Sequence, residues 1–461
     1  MNTGPKVTVI GAGSYFFGKC VIHKMATSPV MNAGTLALVD TNPKVLATMT
    51  KLARRIFKAS KCAVRVEGAT NHRRVMEGSD FVILTFSRRN AYYRGVDTRI
   101  AAKHGMKMCS SDTIGPGGIF RAMREIPPIM QMARDAHRLA PNAWVINLVN
   151  PTAVVGMALR RFVPEVKSFA LCDGHHEPHN TLHWCKQVGI LPEKAKEVPT
   201  SVHQRLDLRI GGVNHTTWIV RFRYDGKDML PVWRRKLVEL VKEEAKSPSP
   251  YSKARYNWNY ALQLFDLFGA YPTAIGHTKE YVPYFQGFGV AAVKPEPITT
   301  FDGDERARQM AEAWKVTEEY ATGKKSTAEF IKTVHDDHAT DIIESMWGNL
   351  GKPFYINASN RGTIVNLPHD AFVELRSDID LHGPRPHPFG EMPRGLLAHQ
   401  NQILDTHELT AEAAVTGDRS ILRRAMATDP LCVNLTDADA CIAELLEAER
   451  DVLPGYWYKR S

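Results

Sequence analysis

Five short apolar runs, separated by segments long enough for a helix, constrain this chain more than any other feature. They read KVTVI (6–10), TLALVD (35–40), FVILTF (81–86), AWVINLVNP (143–151) and SFALCD (168–173). A strand buried on both faces needs no alternation of polar and apolar residues, and these runs show almost none. Strands of that kind alternating with helices form βαβ units around a parallel sheet. The segment after the first run, 15–25, has helical character.

Beyond residue 170 the pattern changes. RLDLRIGG (205–212) and TTWIVRFRYDG (216–226) alternate apolar and polar residues, as antiparallel strands do. Helical periodicity then dominates, at 231–246, 304–320, 404–416 and 437–452, with KSPSPYSK (246–253) as an exposed connection. The expected fold is α/β: a Rossmann-type doubly wound parallel sheet over 1–170, then a mixed α/β, largely helical C-terminal domain over 171–461.

Gly11-Ala12-Gly13-Ser14 closes the first strand and opens the first helix. Glycine suits a place where a pyrophosphate approaches the backbone, and the helix N-terminus adds N–H donors and a positive dipole end. The third glycine of the GxGxxG pattern is replaced by Phe16. The second strand ends in Asp40, 27 positions after Gly13. A carboxylate there accepts hydrogen bonds from ribose hydroxyls and repels a 2′-phosphate, which favours NAD over NADP. Gly11, Gly13, Ser14 and Asp40 are therefore the expected cofactor residues.

Composition narrows the remaining classes. The seven cysteines are odd in number and scattered, with no CxxC pair, which argues for a reducing, cytoplasmic setting. No apolar stretch approaches the roughly 20 residues of a membrane span. The N-terminal MNTGPKVTVIGAG does not read as a secretory signal. The formal charge of +10 comes without a nucleic-acid motif or a long basic block with interleaved aromatics. Neither a nucleic acid nor a membrane is an expected partner. The charge fits a small substrate, with some bias toward anionic ones.

Several further motifs occur in order along the chain. They are SSDTIGPGGIFRAMREIPP within 110–151, Cys172-Asp173, Gly212-Val213-Asn214-His215 with Trp218, Tyr271-Pro272-Thr273, and His277-Thr278-Lys279-Glu280-Tyr281-Val282-Pro283-Tyr284. Asn360-Arg361-Gly362-Thr363-Ile364, Asn366-Leu367-Pro368 and Asp429-Pro430-Leu431 complete the set. Together they resemble the NAD- and metal-dependent glycosidases of glycoside hydrolase family 4, whose members act as α-glucosidases, α-galacturonidases and 6-phospho-glycosidases. This resemblance implies a fold like that of lactate and malate dehydrogenases. It also implies an unusual hydrolysis: transient oxidation of the sugar at C3, loss of the acidified C2 proton, elimination of the aglycone, addition of water, and return of the hydride.

The resemblance distributes roles as follows. Cys172 and His215 hold a divalent metal, usually manganese in this family. Their separation of 43 positions exceeds what the family leads one to expect. Asp173 is the acid on the leaving group. Tyr281 is the base for the C2 proton, although an aspartate found in some relatives two residues before His277 is here Ile275. His277 and Glu280 remain candidate bases. Asn150 bridges cofactor and sugar. Asp112 and His175 line the substrate cleft. His175, His176, His179 and His183 are alternative metal ligands. Arg88, with Arg89 and Arg94, suits a carboxylate, phosphate or sulfonate on the sugar. A homodimer or homotetramer is expected by analogy. The competing enzyme reading is an NAD-dependent 2-hydroxy-acid or sugar dehydrogenase with net NADH production. A non-catalytic NAD sensor is a third.

Overall fold

The computed structural model describes residues 4–15, 17–172, 174–246, 257–286 and 298–459. Phe16, Asp173 and all but the first residue of the 246–253 connection lie outside the described residues.

Six parallel strands build the first part of one sheet: β1 (Lys6–Ile10), β2 (Thr35–Val39), β3 (Arg65–Ala69), β4 (Phe81–Leu84), β5 (Trp144–Asn147) and β6 (Ser168–Ala170). They lie in the order β3-β2-β1-β4-β5-β6. The direction of winding reverses between β1 and β4, the crevice where open sheets of this order bind dinucleotides. All five expected runs are strands. The sixth, β3 (RVEGA), is an edge strand with half-exposed residues, so it carries little of the apolar signal that marks the others.

The later strands are β7 (Leu206–Val213), β8 (Thr216–Tyr224), β9 (Lys227–Asp228), β10 (Tyr271–Pro272), β11 (Pro353–Ser359), β12 (Phe372–Asp380) and β13 (Gly383–Pro386). They do not form a separate sheet. β11 pairs antiparallel with β6 through Asn357 and Ala170, and the order continues β11-β12-β7-β8-β10. Direction switches from parallel to antiparallel at residue 170, while the sheet itself is unbroken. The helices Gly303–Thr322 and His338–Gly348 return to the first half, and Tyr320, Phe330, Ile342 and Ile343 share a core with Val7, Leu36 and Ile56. The other expected helices are present, at Leu230–Lys246, Arg394–Thr416 and Leu435–Ala448.

This continuity positions the site. Residue 172 follows the end of β6, and the β7–β8 turn carries Asn214 and His215. The Arg394–Thr416 helix clamps that turn: Gln400 accepts the Val213 N–H at 2.6 Å and donates to the Thr216 carbonyl at 3.0 Å. No helix among the described residues is long and apolar enough to cross a membrane. All seven cysteines are free.

Candidate active site

The loop after β1 is drawn tightly over the sheet. The N–H groups of Gly11 and Ala12 both donate to the Val39 carbonyl at 2.9 Å. Gly11 has φ +94°, and a Cβ there would lie 2.6 Å from the Thr85 carbonyl oxygen. A Cβ on Gly13 would lie 2.2 Å from Val45 Cγ1. At both positions a side chain would collide with the protein itself, so only glycine lets the loop pack this closely at the N-terminal end of the helix, where a pyrophosphate would meet free N–H groups. Asp40 sits beside it. Its Oδ2 accepts the Gly13 N–H and its Oδ1 the Asn42 N–H, both at 2.9 Å, so it fastens the glycine loop to the tip of β2. Ser14 accepts the Phe17 N–H at 3.3 Å and caps the following helix.

A second group of side chains converges beyond β6. Cys172 Sγ lies 3.1 Å from His215 Nε2. A thiolate and an imidazole this close could together hold one divalent cation. The other face of the same ring meets more ligand atoms. His215 Nδ1 is 3.1 Å from the Tyr281 hydroxyl, 3.3 Å from Thr113 Oγ1 and 3.9 Å from Asp112 Oδ1. His277 stacks on His215, with ring centroids 4.0 Å apart and planes 10° apart, and its Nδ1 is 3.8 Å from Asp112 Oδ1. One donor atom from each of Asp112, His215 and His277 can be chosen so that all three lie within 4.8 Å of one another. His277 Nδ1 is buried without a hydrogen-bond partner. These donors fit a divalent cation.

The backbone is strained where this group is built. His215 has φ +66° and Ser111, beside Asp112, φ +55°. Non-glycine residues occupy this region at a cost of about 1–3 kcal/mol, sustained only where surrounding contacts impose it, and often at functional sites. Here the contacts are visible. Thr278 Oγ1 donates to the His215 carbonyl at 2.7 Å. Glu280 Oε2 accepts the N–H groups of Cys109 and Ser110 at 2.7 and 2.8 Å and faces that of Ser111 at 3.5 Å.

Glu280 is therefore a clamp for the loop that presents Asp112. Glu280→Gln weakens two charge-assisted bonds and is expected to destabilise the protein by about 2 kcal/mol. Chemical denaturation measures this, and an unchanged midpoint would contradict the clamp.

Electrostatics follow from burial. Burial raises the Cys172 thiol above its ordinary range, and the Glu374 carboxylate adds to the rise. Burial also pushes Tyr281 well above 10, reinforced by Asp112. For Asp112 burial acts in the raising direction, but the neighbouring His277, His215, Arg94 and Arg121 outweigh it and bring its pKa well below the ordinary carboxylate range. Burial and then His215 push His277 down to about 4. A cation in this group would reverse the direction for both the thiol and the phenol.

The other expected residues fall in different places. Asn150 is in the cleft: its Nδ2 faces Asp112 Oδ2 at 3.4 Å and its Oδ1 accepts from Thr152 at 2.5 Å. His175 is buried, 2.7 Å from Thr273 Oγ1 and 3.4 Å from Glu374 Oε1. His179 and His183 lie exposed on the helix His179–Gln187. Arg88 is exposed and donates to the Val452 carbonyl at 3.4 Å, while Arg89 faces Asp451 and stacks on Tyr92. Arg94 is buried and bonded to the Ser110 carbonyl. Asp173 lies outside the described residues. Sequence reasoning missed Glu374, a fully buried acid on β12 that accepts from Asn214 Nδ2 at 3.1 Å. The one signal was an acid inside the apolar run FVEL.

The model of the family 4 glycosyl hydrolases matches residues 6–185, and that of the family's C-terminal domain matches residues 210–432. This chain is a family 4 glycosyl hydrolase. Among curated relatives of this hydrolase, an alpha-galactosidase of Bacillus subtilis (strain 168) is 28% identical, with 98% of this chain and 99% of the relative covered. An alpha-galacturonidase of the same organism is 26% identical, with 96% and 97% covered. Among solved structures, a 6-phospho-alpha-glucosidase from gut microorganisms, in complex with NAD and Mn2+, superposes with a TM-score of 0.77 at 20% identity, covering 98% of this chain and 99% of the other. The 6-phospho-beta glucosidase of Thermotoga maritima, with manganese, NAD+ and glucose-6-phosphate, gives 0.76 at 18% identity, covering 97% and 99%. At these identities the structural likeness speaks for the fold.

Proposed function

We propose that this family 4 glycosyl hydrolase cleaves glycosidic bonds with NAD and a divalent metal, manganese by preference, by transient oxidation of the sugar beside the bond. The observation that carries this reading is the meeting, at the carboxyl ends of one sheet, of a glycine cradle suited to a dinucleotide and a Cys172/His215 pair at ligand spacing. When bound, NAD supplies a hydride acceptor and the metal a Lewis acid for the neighbouring sugar oxygens.

The chain's own residues do the rest. Gly11, Gly13 and Ser14 shape the pyrophosphate seat, and Asp40 keeps acceptor capacity for the ribose. Cys172 and His215 would hold the metal through Sγ and Nε2, while Asp112 and His277 form a second donor group on the Nδ1 side of the ring. Tyr281 takes the proton from C2. It is fully buried, and its hydroxyl is directed by His215 Nδ1. Asn150 orients sugar hydroxyls against Asp112. Asp173, adjacent to Cys172, protonates the leaving oxygen. Arg88 points toward 452 and takes no part in this reading. His175, expected against the sugar, is buried on Thr273 and on Glu374, whose other oxygen holds Asn214, so in this reading it positions the turn before His215 and does not meet the substrate. We further propose a cytoplasmic homodimer or homotetramer, and a domain division near residue 170.

The test is a panel of chromogenic glycosides, neutral, uronic and 6-phosphorylated, assayed with NAD and Mn2+. Turnover that disappears on chelation and returns with Mn2+ is expected. Turnover indifferent to both chelator and NAD would overturn the reading.

A further inference from the structure

The Asp429-Pro430-Leu431 motif has no part in the catalytic reading, yet it reaches the site. Asp429 is buried and ends the helix Arg419–Thr428. A proline disfavours helical backbone in the residue before it, and Asp429 is extended, with φ −61° and ψ 133°. The chain leaves the helix there, and both side-chain oxygens meet backbone donors. Oδ2 accepts the Gly115 N–H at 2.7 Å and Oδ1 the Leu431 N–H at 2.9 Å. Gly115 opens the helix Gly115–Leu139, and Ile114 before it makes no side-chain cap. The first N–H groups of a helix have no partner inside it, and a side chain at the helix start usually supplies an acceptor. Here the acceptor comes from 314 positions away. Apolar packing reinforces it: Gly115 has φ +66°, and a Cβ there would lie 2.8 Å from Met108 Sδ and 3.2 Å from Cδ1 of the fully buried Leu431.

The segment that ends at Gly115 is the one that carries Asp112. Glu280 holds its near end, through the Cys109 and Ser110 N–H groups. Asp429 holds its far end. Between these two carboxyl groups, Ser111 is kept at φ +55°. Asp112 Oδ1 lies 3.9 Å from His215 Nδ1 and 3.8 Å from His277 Nδ1, and its Oδ2 lies 3.4 Å from Asn150 Nδ2. Thr113 Oγ1 lies 3.3 Å from His215 Nδ1. A left-handed non-glycine residue persists only where its surroundings impose it, so freeing either end lets Asp112 move.

We propose that Asp429 is a positioning residue for the hydrolysis: it caps the helix Gly115–Leu139 from a distant part of the chain and, with Glu280, holds both ends of the segment that places Asp112 in the cleft. Its effect on turnover rests on the glycosidase reading above; the clamp itself does not. Asp429 acts through Asp112, without touching sugar or cofactor.

Two substitutions grade the clamp. Asp429→Asn keeps one acceptor and turns an amide donor toward the other N–H, whereas Asp429→Ala leaves both backbone donors buried without this acceptor. In the full chain, deuterium uptake is followed at 109–118 and, as a control, at the glycine loop 7–14. Uptake at 109–118 is expected to rise at least about 10-fold in Asp429→Ala, the scale for a buried donor left unpaired, and less in Asp429→Asn, with the glycine loop unchanged. Turnover of the best glycoside with NAD and Mn2+ should fall roughly 10- to 100-fold in Asp429→Asn, the scale for a reacting group displaced by about 1 Å, while NAD affinity holds. In an Asp112→Asn background the same change should cost no more than about 2-fold, because the group it positions is already altered. Uptake that rises equally throughout the protein, or stays unchanged at 109–118, would overturn the clamp. The full loss of turnover repeated in the Asp112→Asn background would overturn the action through Asp112. Local uptake in a protein that turns over no glycoside would overturn the glycosidase reading and leave the clamp standing.

Discussion

Cys172→Ser is expected to lose more than about 100-fold in manganese affinity and to lose metal-dependent turnover with it, while NAD affinity stays at the wild-type value. Groups one shell removed from a metal already cost about 10- to 100-fold when changed, so removing a direct ligand sets that as a lower bound. The substitution preserves shape but replaces a thiol that can ionise with an alcohol that does not. In the free protein the Cys172 thiol is driven toward its protonated form by burial and by Glu374, and Asn214 is the side chain that opposes this by hydrogen bonding to the sulfur. Binding a cation must therefore expel a proton from sulfur, a step the serine cannot reproduce. The glycine cradle lies at the end of β1, separated from β6 by β4 and β5, so the loss should not reach the dinucleotide. Calorimetric titration with Mn2+ and with NAD separates the two. Undiminished manganese affinity in the variant would refute the ligand assignment.

Tyr281→Phe is expected to lower kcat by roughly 100- to 10,000-fold, the range for removing a positioned acid or base. KM should move little. The side chain is fully buried against His215, with rings 5.9 Å apart and 88° inclined, so phenylalanine fills the same volume. What disappears is one oxygen, 3.1 Å from His215 Nδ1. Without a cation that phenol holds its proton far into alkali, so its use as a base depends on the metal beside it. His277 is the rival. Its ring also faces Asp112, and its lowered pKa leaves it neutral at pH 7, so its nitrogen is free of a proton although weakly basic. If His277 rather than Tyr281 were the base, Tyr281→Phe would keep exchanging the C2 proton with solvent and His277→Ala would stop.

The parts of this molecule that could be read in advance share a physical cause. β1, β2, β4, β5 and β6 are buried on both faces, so their sequences are apolar without interruption. β3 is an edge strand, and RVEGA carries no such mark. The continuity of the sheet across residue 170 rests on β11, whose pairing with β6 joins positions nearly 190 residues apart and leaves no local pattern. Within the site, Cys172 and His215 were recognisable from motifs, and they meet at 3.1 Å. Glu280 read as a possible base because it adjoins Tyr281; only the fold reveals that its carboxylate is occupied by two backbone donors. The arginines were misplaced for a related reason. Arg88 follows a strand end and looked poised for an anion, yet it is exposed and turned toward Val452.

One experiment bears most directly on whether the sugar is oxidised and restored in each cycle. The glycoside that gives the highest turnover is hydrolysed in heavy water with NAD and Mn2+, and the released sugar and the cofactor are followed together. The account predicts one deuterium at C2 of the product and no accumulation of NADH. A product without deuterium at C2, or NADH formed in step with it as a dehydrogenase would give, would contradict the account.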